Sequence, residues 1–416
     1  MPGFRSLARN HDFTILWVGE TVSTLGSRMS LFAFPLVGYA ISGSAMVAAL
    51  AEAAHLAGMS LALLPAGVAV DRHDRRRLMT LVSGSGALLY LSLAVAGVLG
   101  SLSVAHLVVV SLLTGVGAGI FRPAQTSAIR SVVPTDDLPT ALAQNQAREH
   151  VAGLVGAPLG GLLYAVTRWL PFAVDAFTYA ISCLTLSRLR TPLGPARRRQ
   201  PGRSVRHDLL EGLRFVVARP FFRVLLTWAA LANLVVNALF FAALLRMVEA
   251  GHHPAEIGLA ETGAALGGLV GAAVAPALIA RLATGRLTVL IAWAQALPVL
   301  PLIWWGGPLA VGGCLFAMML LNPAGNAGIG AYRMAVTPAD LQGRVSAAST
   351  FVAMSVMSLS PLAGGYLLAH WGGQAAIGTL AAAFLGLALM VTLSRSIRSV
   401  PRPTEWATVT EVELAA

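Results

Sequence analysis

One face of the first apolar stretch carries Glu20, Ser23, Thr24, Ser27 and Arg28. Spacings of three, four, seven and eight put these on a single side of a helix. Glu20 and Arg28 then stand about 12 Å apart along the axis, at about 1.5 Å per residue. Charges at that depth in a bilayer are costly and mark a pathway or a buried pairing. A glutamate desolvated there can take up and release a proton. Asp175 and Glu261, each inside an apolar run, are the competing proton-coupling candidates. Thr24, Ser27 and Arg28 are candidates for lining a substrate cavity. So are Asn233 and Asn237, which share a face, and Gln295, Asn322 and Asn326. Each amide taken singly also fits a helix–helix hydrogen bond.

The chemistry that is missing narrows the field. All 29 basic residues are arginine, and a Walker A loop needs lysine, so an ATP-driven motor is excluded. No His-Glu-x-x-His pair and no Gly-x-Ser-x-Gly elbow occurs, so an enzyme is not expected. Cys183 and Cys314 lie in apolar runs as packing residues. No metal-ligand spacing is present, and neither a metal nor a cofactor is expected.

The elements that position these residues follow from composition. The chain has 416 residues, 56% hydrophobic and only 11% charged. A soluble domain carries about 25% charged residues, and one core could not hide this much apolar surface. Apolar runs at 13–41, 45–70, 77–99, 104–126, 141–166, 172–189, 221–248, 257–281, 286–305, 308–332, 344–369 and 374–394 predict twelve membrane-spanning helices. The N-terminal run exceeds a signal peptide's apolar region and is expected to be retained.

The net charge is +11, and its placement fits a membrane surface better than a nucleic acid. With both termini inside, the cytoplasmic segments hold Arg5 and Arg9, Arg72 to Arg77, the Arg190–Arg219 cluster, Arg281, Arg286, Arg333, Arg344, Arg395 and Arg398. The outer loops are 42–44, 100–103, 167–171, 249–256, 306–307 and 370–373, and Arg168 is their one arginine. This asymmetry sets the orientation in an inner (plasma) membrane. The chain then divides into an N-terminal six-helix bundle (1–190), a cytoplasmic linker (191–219), a C-terminal bundle (220–398) and a tail (399–416). The linker contains Asp208-Leu-Leu-Glu211-Gly-Leu-Arg214-Phe, whose helical apolar spacing predicts a surface-lying amphipathic helix. A shift of 203 residues puts Arg130 on Arg333, Asp137 on Asp340, Pro158 on Pro361 and Gly161 on Gly364. Two related six-helix halves are the plan of many secondary transporters.

Between the second and third spans stands Gly67-Val-Ala-Val-Asp71-Arg72-His73-Asp74-Arg75-Arg76-Arg77. Asp71 ends a helix, where it can reach the N-terminus of a neighbour. The expected partner is the segment 342–347. The arginines pair with it and anchor the loop to anionic headgroups. This loop resembles the signature of the major facilitator superfamily. Its Asp-Arg-x-Asp-Arg-Arg form is similar to the drug:proton antiporter branch that includes macrolide-efflux proteins and the bacterial siderophore exporter. Phe121-Arg-Pro-Ala, Val133-Pro134 with Leu138, and the linker helix extend the resemblance. In the fifth span, Gly156, Pro158, Gly160 and Gly161 resemble the antiporter motif, with the proline displaced by one residue. The fourth span departs from the pattern, having Ser111 where an arginine is usual.

The resemblance implies an all-α integral membrane protein, with twelve helices in two pseudo-symmetric six-helix bundles. It implies proton-coupled efflux of amphipathic organic molecules (drug, antibiotic or siderophore-like) by alternating access, carried out by a monomer. Small-molecule substrate, protons and anionic lipids are the expected partners. The rivals are a facilitator of another small or lipid-like substrate and a non-transporting membrane sensor or enzyme.

Overall fold

The computed structural model describes residues 7, 9–194, 205–338 and 341–408; of these, the side chains of 64, 68, 71, 139, 205, 206, 208, 209, 407 and 408 are not described. The Arg197–Arg199 run, Asp340, the tail beyond 408 and the side chain of Asp71 with its expected pairing therefore lie outside the described residues.

Six helices come first: α1 (His11–Ser42), α2 (Ala45–Arg72), α3 (Arg75–Val98), α4 (Val104–Val132), α5 (Leu138–Val166) and α6 (Leu170–Ser187). Three of them, α1, α3 and α4, start at a capping side chain. Asn10 accepts from the Phe13 amide (3.0 Å), Asp74 from Arg77 (3.1 Å) and Ser103 from His106 (3.3 Å). The second half holds α7 (Val205–Ala218), α8 (Pro220–Glu249), α9 (Pro254–Arg281) and α10 (Thr284–Ala296). Next come α11 (Pro308–Leu320), α12 (Asn322–Ala335), α13 (Gln342–Met357), α14 (Ser360–Leu393) and the short α15 (Arg395–Arg398).

Proline interrupts this half repeatedly, because it removes a backbone donor. α10 runs into a 3-10 segment, Leu297–Ile303, that contains Pro298 and Pro301, and Pro323 opens α12 directly after α11. Gly372 breaks α14 with φ of 76°.

Ten helical stretches among the described residues are long and apolar enough to cross a membrane. One of them, Gln342–Leu393, is two spans divided at Gly372. With α1, whose polar face dilutes its hydropathy, the total is twelve. The four positive-φ residues described are all glycines, Gly43, Gly100, Gly251 and Gly372, and each follows an odd-numbered span. At these four turns the chain reverses through the left-handed conformation, which glycine adopts without steric cost.

The chain forms two units, Met1–Pro201 with His253–Gly258, and Gly202–His252 with Leu259–Ala416. In the first, Gly58, Gly115 and Gly119 let α2 and α4 meet backbone to backbone; a methyl at Gly115 would strike the His55 carbonyl. Phe34, Tyr90 and Phe172 pack with ring centroids 5.1–6.3 Å apart. Polar ties join the helix ends. The Asn10 side chain donates to the Val132 carbonyl (2.9 Å), and Asp12 accepts from the amides of Arg190 (3.1 Å) and Thr191 (2.7 Å).

In the second unit, Gly263, Gly267 and Gly271 of α9 lie against the carbonyls of Gly312, Phe316 and Leu320 along α11. The amphipathic α7 buries Phe215 and Val216, and Phe215 packs on Phe222 at 5.2 Å. Glu211 binds Arg344 at 2.9 Å, and Gly212 abuts the Arg344 carbonyl, so α7 lies on α13.

Candidate functional site

Glu20 is buried in the first unit at 5% exposure. Its carboxylate accepts from Ser182 Oγ of α6 at 2.9 Å, and Ser182 lies 3.1 Å from Ser83 of α3. The Gln125 amide of α4 stands between two charges. It is 3.4 Å from the Glu20 carboxylate and 3.1–3.2 Å from the Arg148 guanidinium. One amide orientation donates to Glu20, and the other accepts from Arg148. Arg148, on α5, is 3% exposed, and its field acts on Glu20.

Arg28, which shares a helix face with Glu20, is not part of this cluster. Arg28 faces away, is 48% exposed, and pairs with Glu149 at 3.6 Å. Eight residues is more than two helical turns, so sharing a face did not make the two charges neighbours. Ser27 hydrogen-bonds the Tyr179 hydroxyl at 3.3 Å, and Thr24 is half-buried.

Asp175, fully buried on α6, is not in the apolar setting that its neighbours in sequence suggest. It is held by the hydroxyls of Ser30, Thr178 (2.9 Å) and Tyr90. Glu261 is half-buried on α9 in the second unit and is not among the residues of the cavity described below.

In the loop motif, Gly67 has open space around it. Arg72 and Arg77 are exposed. Arg75 is buried and donates to Ser131 Oγ at 2.9 Å, and Arg76 donates to the carbonyls of Leu189 (2.9 Å) and Ser187. The expectation that the arginines all face headgroups fails for Arg75 and Arg76. Both fasten the start of α3 to the ends of α4 and α6, where terminal carbonyls lack helical partners. In α5, Gly156 meets the Arg28 side chain and Gly160 the Met29 backbone, so α5 lies close on α1. Gly161 meets the Pro254 carbonyl, in the segment that packs with the first unit. The helix continues through Pro158.

The second unit opens a cavity of about 480 Å³. Asn233, Asn237, Gln295, Asn322 and Asn326 all line it, drawn from α8, α10 and α12. The Asn233 and Asn237 side chains donate to carbonyls one turn back on α8, at 2.8 and 2.7 Å, and Asn326 donates to Asn322 Oδ1 at 2.8 Å. Each of these three amides thus uses one of its two N–H groups, which leaves the second N–H and the Asn233 and Asn237 oxygens for a ligand. Trp228, Phe240, Ile291 and Met357 supply apolar wall.

Sequence reasoning passed over several polar residues. Arg148 and Gln125 sit near span ends, where charge reads as loop. Glu52, half-buried in α2 with His55 one turn on, stands about two turns into the span, and a lone carboxylate in an apolar run is itself the signal that could have found it. His55 Nδ1 lies 3.4 Å from Thr114 Oγ1.

The sequence pattern of the Major Facilitator Superfamily matches residues 16–361. The chain belongs to this superfamily. It is a multi-pass membrane transporter and not an enzyme. It is 30% identical over 397 residues to the multidrug efflux pump Tap of Mycolicibacterium fortuitum, covering 88% of this chain and 90% of the pump. It is 24% identical over 267 residues to macrolide efflux protein A of Streptococcus pyogenes, covering 62% of this chain and 64% of that protein.

Solved superfamily structures share the fold. A bacterial homologue of the iron transporter ferroportin, in an inward-facing state, superposes with a TM-score of 0.74 at 17% identity, covering 94% of this chain and 99% of that one. A D-xylose-proton symporter gives 0.68 at 14%, covering 91% and 97%.

Proposed function

We propose that this superfamily member exports amphipathic organic molecules in exchange for protons, by alternating access, as a monomer in the plasma membrane with both termini cytoplasmic. The observation that carries the reading is the match to a multidrug efflux pump along nearly the whole of both chains. Two features of the structure support it. An amide- and aromatic-lined cavity suits a drug-sized molecule with an apolar body and a few polar groups. A buried carboxylate, Glu20, sits where hydroxyl, amide and guanidinium groups surround it.

In this scheme Glu20 takes a proton from one side and gives it up on the other. Asp175 and Glu261 are its competitors. The cavity of the second unit is the cargo site, and Thr24, Ser27 and Arg28 are the cavity-lining candidates of the first unit. Exposed Arg72 and Arg77 hold the loop at anionic headgroups. The asymmetric arginine distribution supports the orientation.

The test is accumulation in proteoliposomes under an imposed pH gradient, across a panel of hydrophobic drugs. Wild type accumulates substrate against its gradient, and Glu20→Gln loses that while retaining downhill flux. Uphill transport by Glu20→Gln with unchanged pH dependence would move coupling to Asp175 or Glu261. Transport by wild type that ignores the pH gradient would make the protein a facilitator.

A further inference from the structure

We infer that the cavity of the second unit takes an amphipathic organic anion, with its acidic group seated on Arg333. This rests on reading the cavity as the cargo site and adds the chemical class of the cargo.

The first observation is the charge inventory. Arg333 is the one charged residue among those lining the cavity, and it also borders an adjoining cleft of about 130 Å³ with Leu225 and Ala229. No aspartate or glutamate lines either space among the described residues. An organic cation would find no counter-charge in the lining and one like charge.

The second observation is that Arg333 has no side-chain partner among the described residues. Seven arginines with described side chains are wholly or partly shielded from solvent: Arg75, Arg76, Arg148, Arg219, Arg246, Arg333 and Arg344. Six have partners. Arg75 and Arg76 hold Ser131 and helix-end carbonyls, and Arg148 lies against Glu149 and Gln125. Arg219 covers the Phe215 ring, Arg246 donates to the Leu302 carbonyl at 2.6 Å, and Arg344 holds Glu211. The Arg333 guanidinium alone has no described acceptor, ion pair or ring. A guanidinium has five donors in a planar fork that matches a carboxylate or phosphate, and leaving it shielded and unmatched is costly.

The third observation is placement. Arg333 stands in the last turn of α12, seven residues beyond Asn326, which is about 10 Å along the axis at 1.5 Å per residue. The cavity therefore has a cationic end and an amide-rich end, with Trp228, Ile291 and Ile329 among the residues of its wall. A molecule with an acid at one end, an apolar body and hydrogen-bonding groups at the other satisfies all three parts.

The test is binding to purified full-length protein in detergent, with three probes that share one fluorophore and chain. They are dansyl-aminoundecanoic acid, its methyl ester and dansyl-undecylamine. The acid is expected to bind about tenfold or more tighter than the ester, the worth of one charge-assisted hydrogen-bond pair, and the amine weakest. Arg333→Gln should erase the acid's advantage while ester binding stays within about twofold, and Arg333→Lys should keep part of it. Equal binding of acid and ester by wild type, tighter binding of the amine, or failure of the acid to bind overturns the inference. So does Arg333→Gln that keeps the preference. If Arg333→Gln does not fold, the wild-type ranking and Arg333→Lys still decide. Because binding is read without a pH gradient, failure here leaves proton-coupled export standing, and failure of coupling leaves this result readable.

Discussion

The two units share a six-span plan and spend it differently. Every buried aspartate, glutamate and arginine among the described residues lies in the first unit: Asp12, Glu20, Arg75, Arg148 and Asp175. The second unit instead opens a cavity with five amides and a single charge. Residues matched by the internal repeat diverge accordingly. Arg130 is exposed at the end of α4, whereas Arg333 turns to a cavity. Pro158 sits inside a continuous α5, whereas Pro361 follows a break between α13 and α14. The two halves run their helices alike and differ in what their interiors hold. One buries carboxylates, the groups proposed to exchange a proton, and the other opens the cavity proposed to hold the cargo.

That division predicts that mutation affects the two halves through different measurements. The largest effect is expected from Arg148→Gln, which strips the cation from beside Glu20. Removing one partner of a buried charge cluster costs about 3 kcal/mol or more. Thermal unfolding in detergent should show the loss, and pH-driven accumulation should collapse with it. Arg28→Gln, removing an exposed pair, should stay within about 1 kcal/mol. An Arg148→Gln protein as stable as wild type would break the comparison.

The next effect sharpens it from the other side. Asn233→Leu combined with Asn237→Leu should weaken substrate binding about tenfold, because two amides lining the cavity are lost, while stability changes little. Equilibrium binding beside a melting curve separates the two. A large stability loss would make these asparagines structural. The smallest effect is expected from Ser182→Ala, which removes one hydrogen bond to Glu20 and one to Ser83. A loss of about 1 kcal/mol is expected, with a displaced pH profile of transport and unchanged substrate affinity. A change in affinity instead would blur the boundary between the halves.

Much of this was legible in the sequence, because bilayer physics leaves few choices. Apolar runs of spanning length found each of the twelve helices, and the four-residue spacing of Gly263, Gly267 and Gly271 is the sequence mark of the close packing that the α9–α11 pair displays. Asn233, Asn237, Gln295, Asn322 and Asn326 were separately visible as polar residues in apolar runs, and they line one cavity. What could not be read was partnership across helices. Helical periodicity states which side of α1 carries Glu20 but not that Ser182, Gln125 and Arg148 arrive there from three other helices. It placed Arg28 with Glu20, whereas α5 supplies Glu149 to Arg28 instead. It also assigned Arg75 to headgroups, since nothing in the loop's sequence announces that Ser131 lies within reach.

The glycine seam between α9 and α11 has a mechanical meaning. Three glycines, one per turn, bring backbone against backbone, so no long side chains stand in the seam to swing between rotamers as the helices shear. A joint of that kind has no soft increments. The two helices bear load as a single plank, transmitting a push at one end to the other without yielding between, and any flexing of the second unit has to be taken up at its hinges of proline and glycine, at Leu297–Ile303, Leu321 and Gly372.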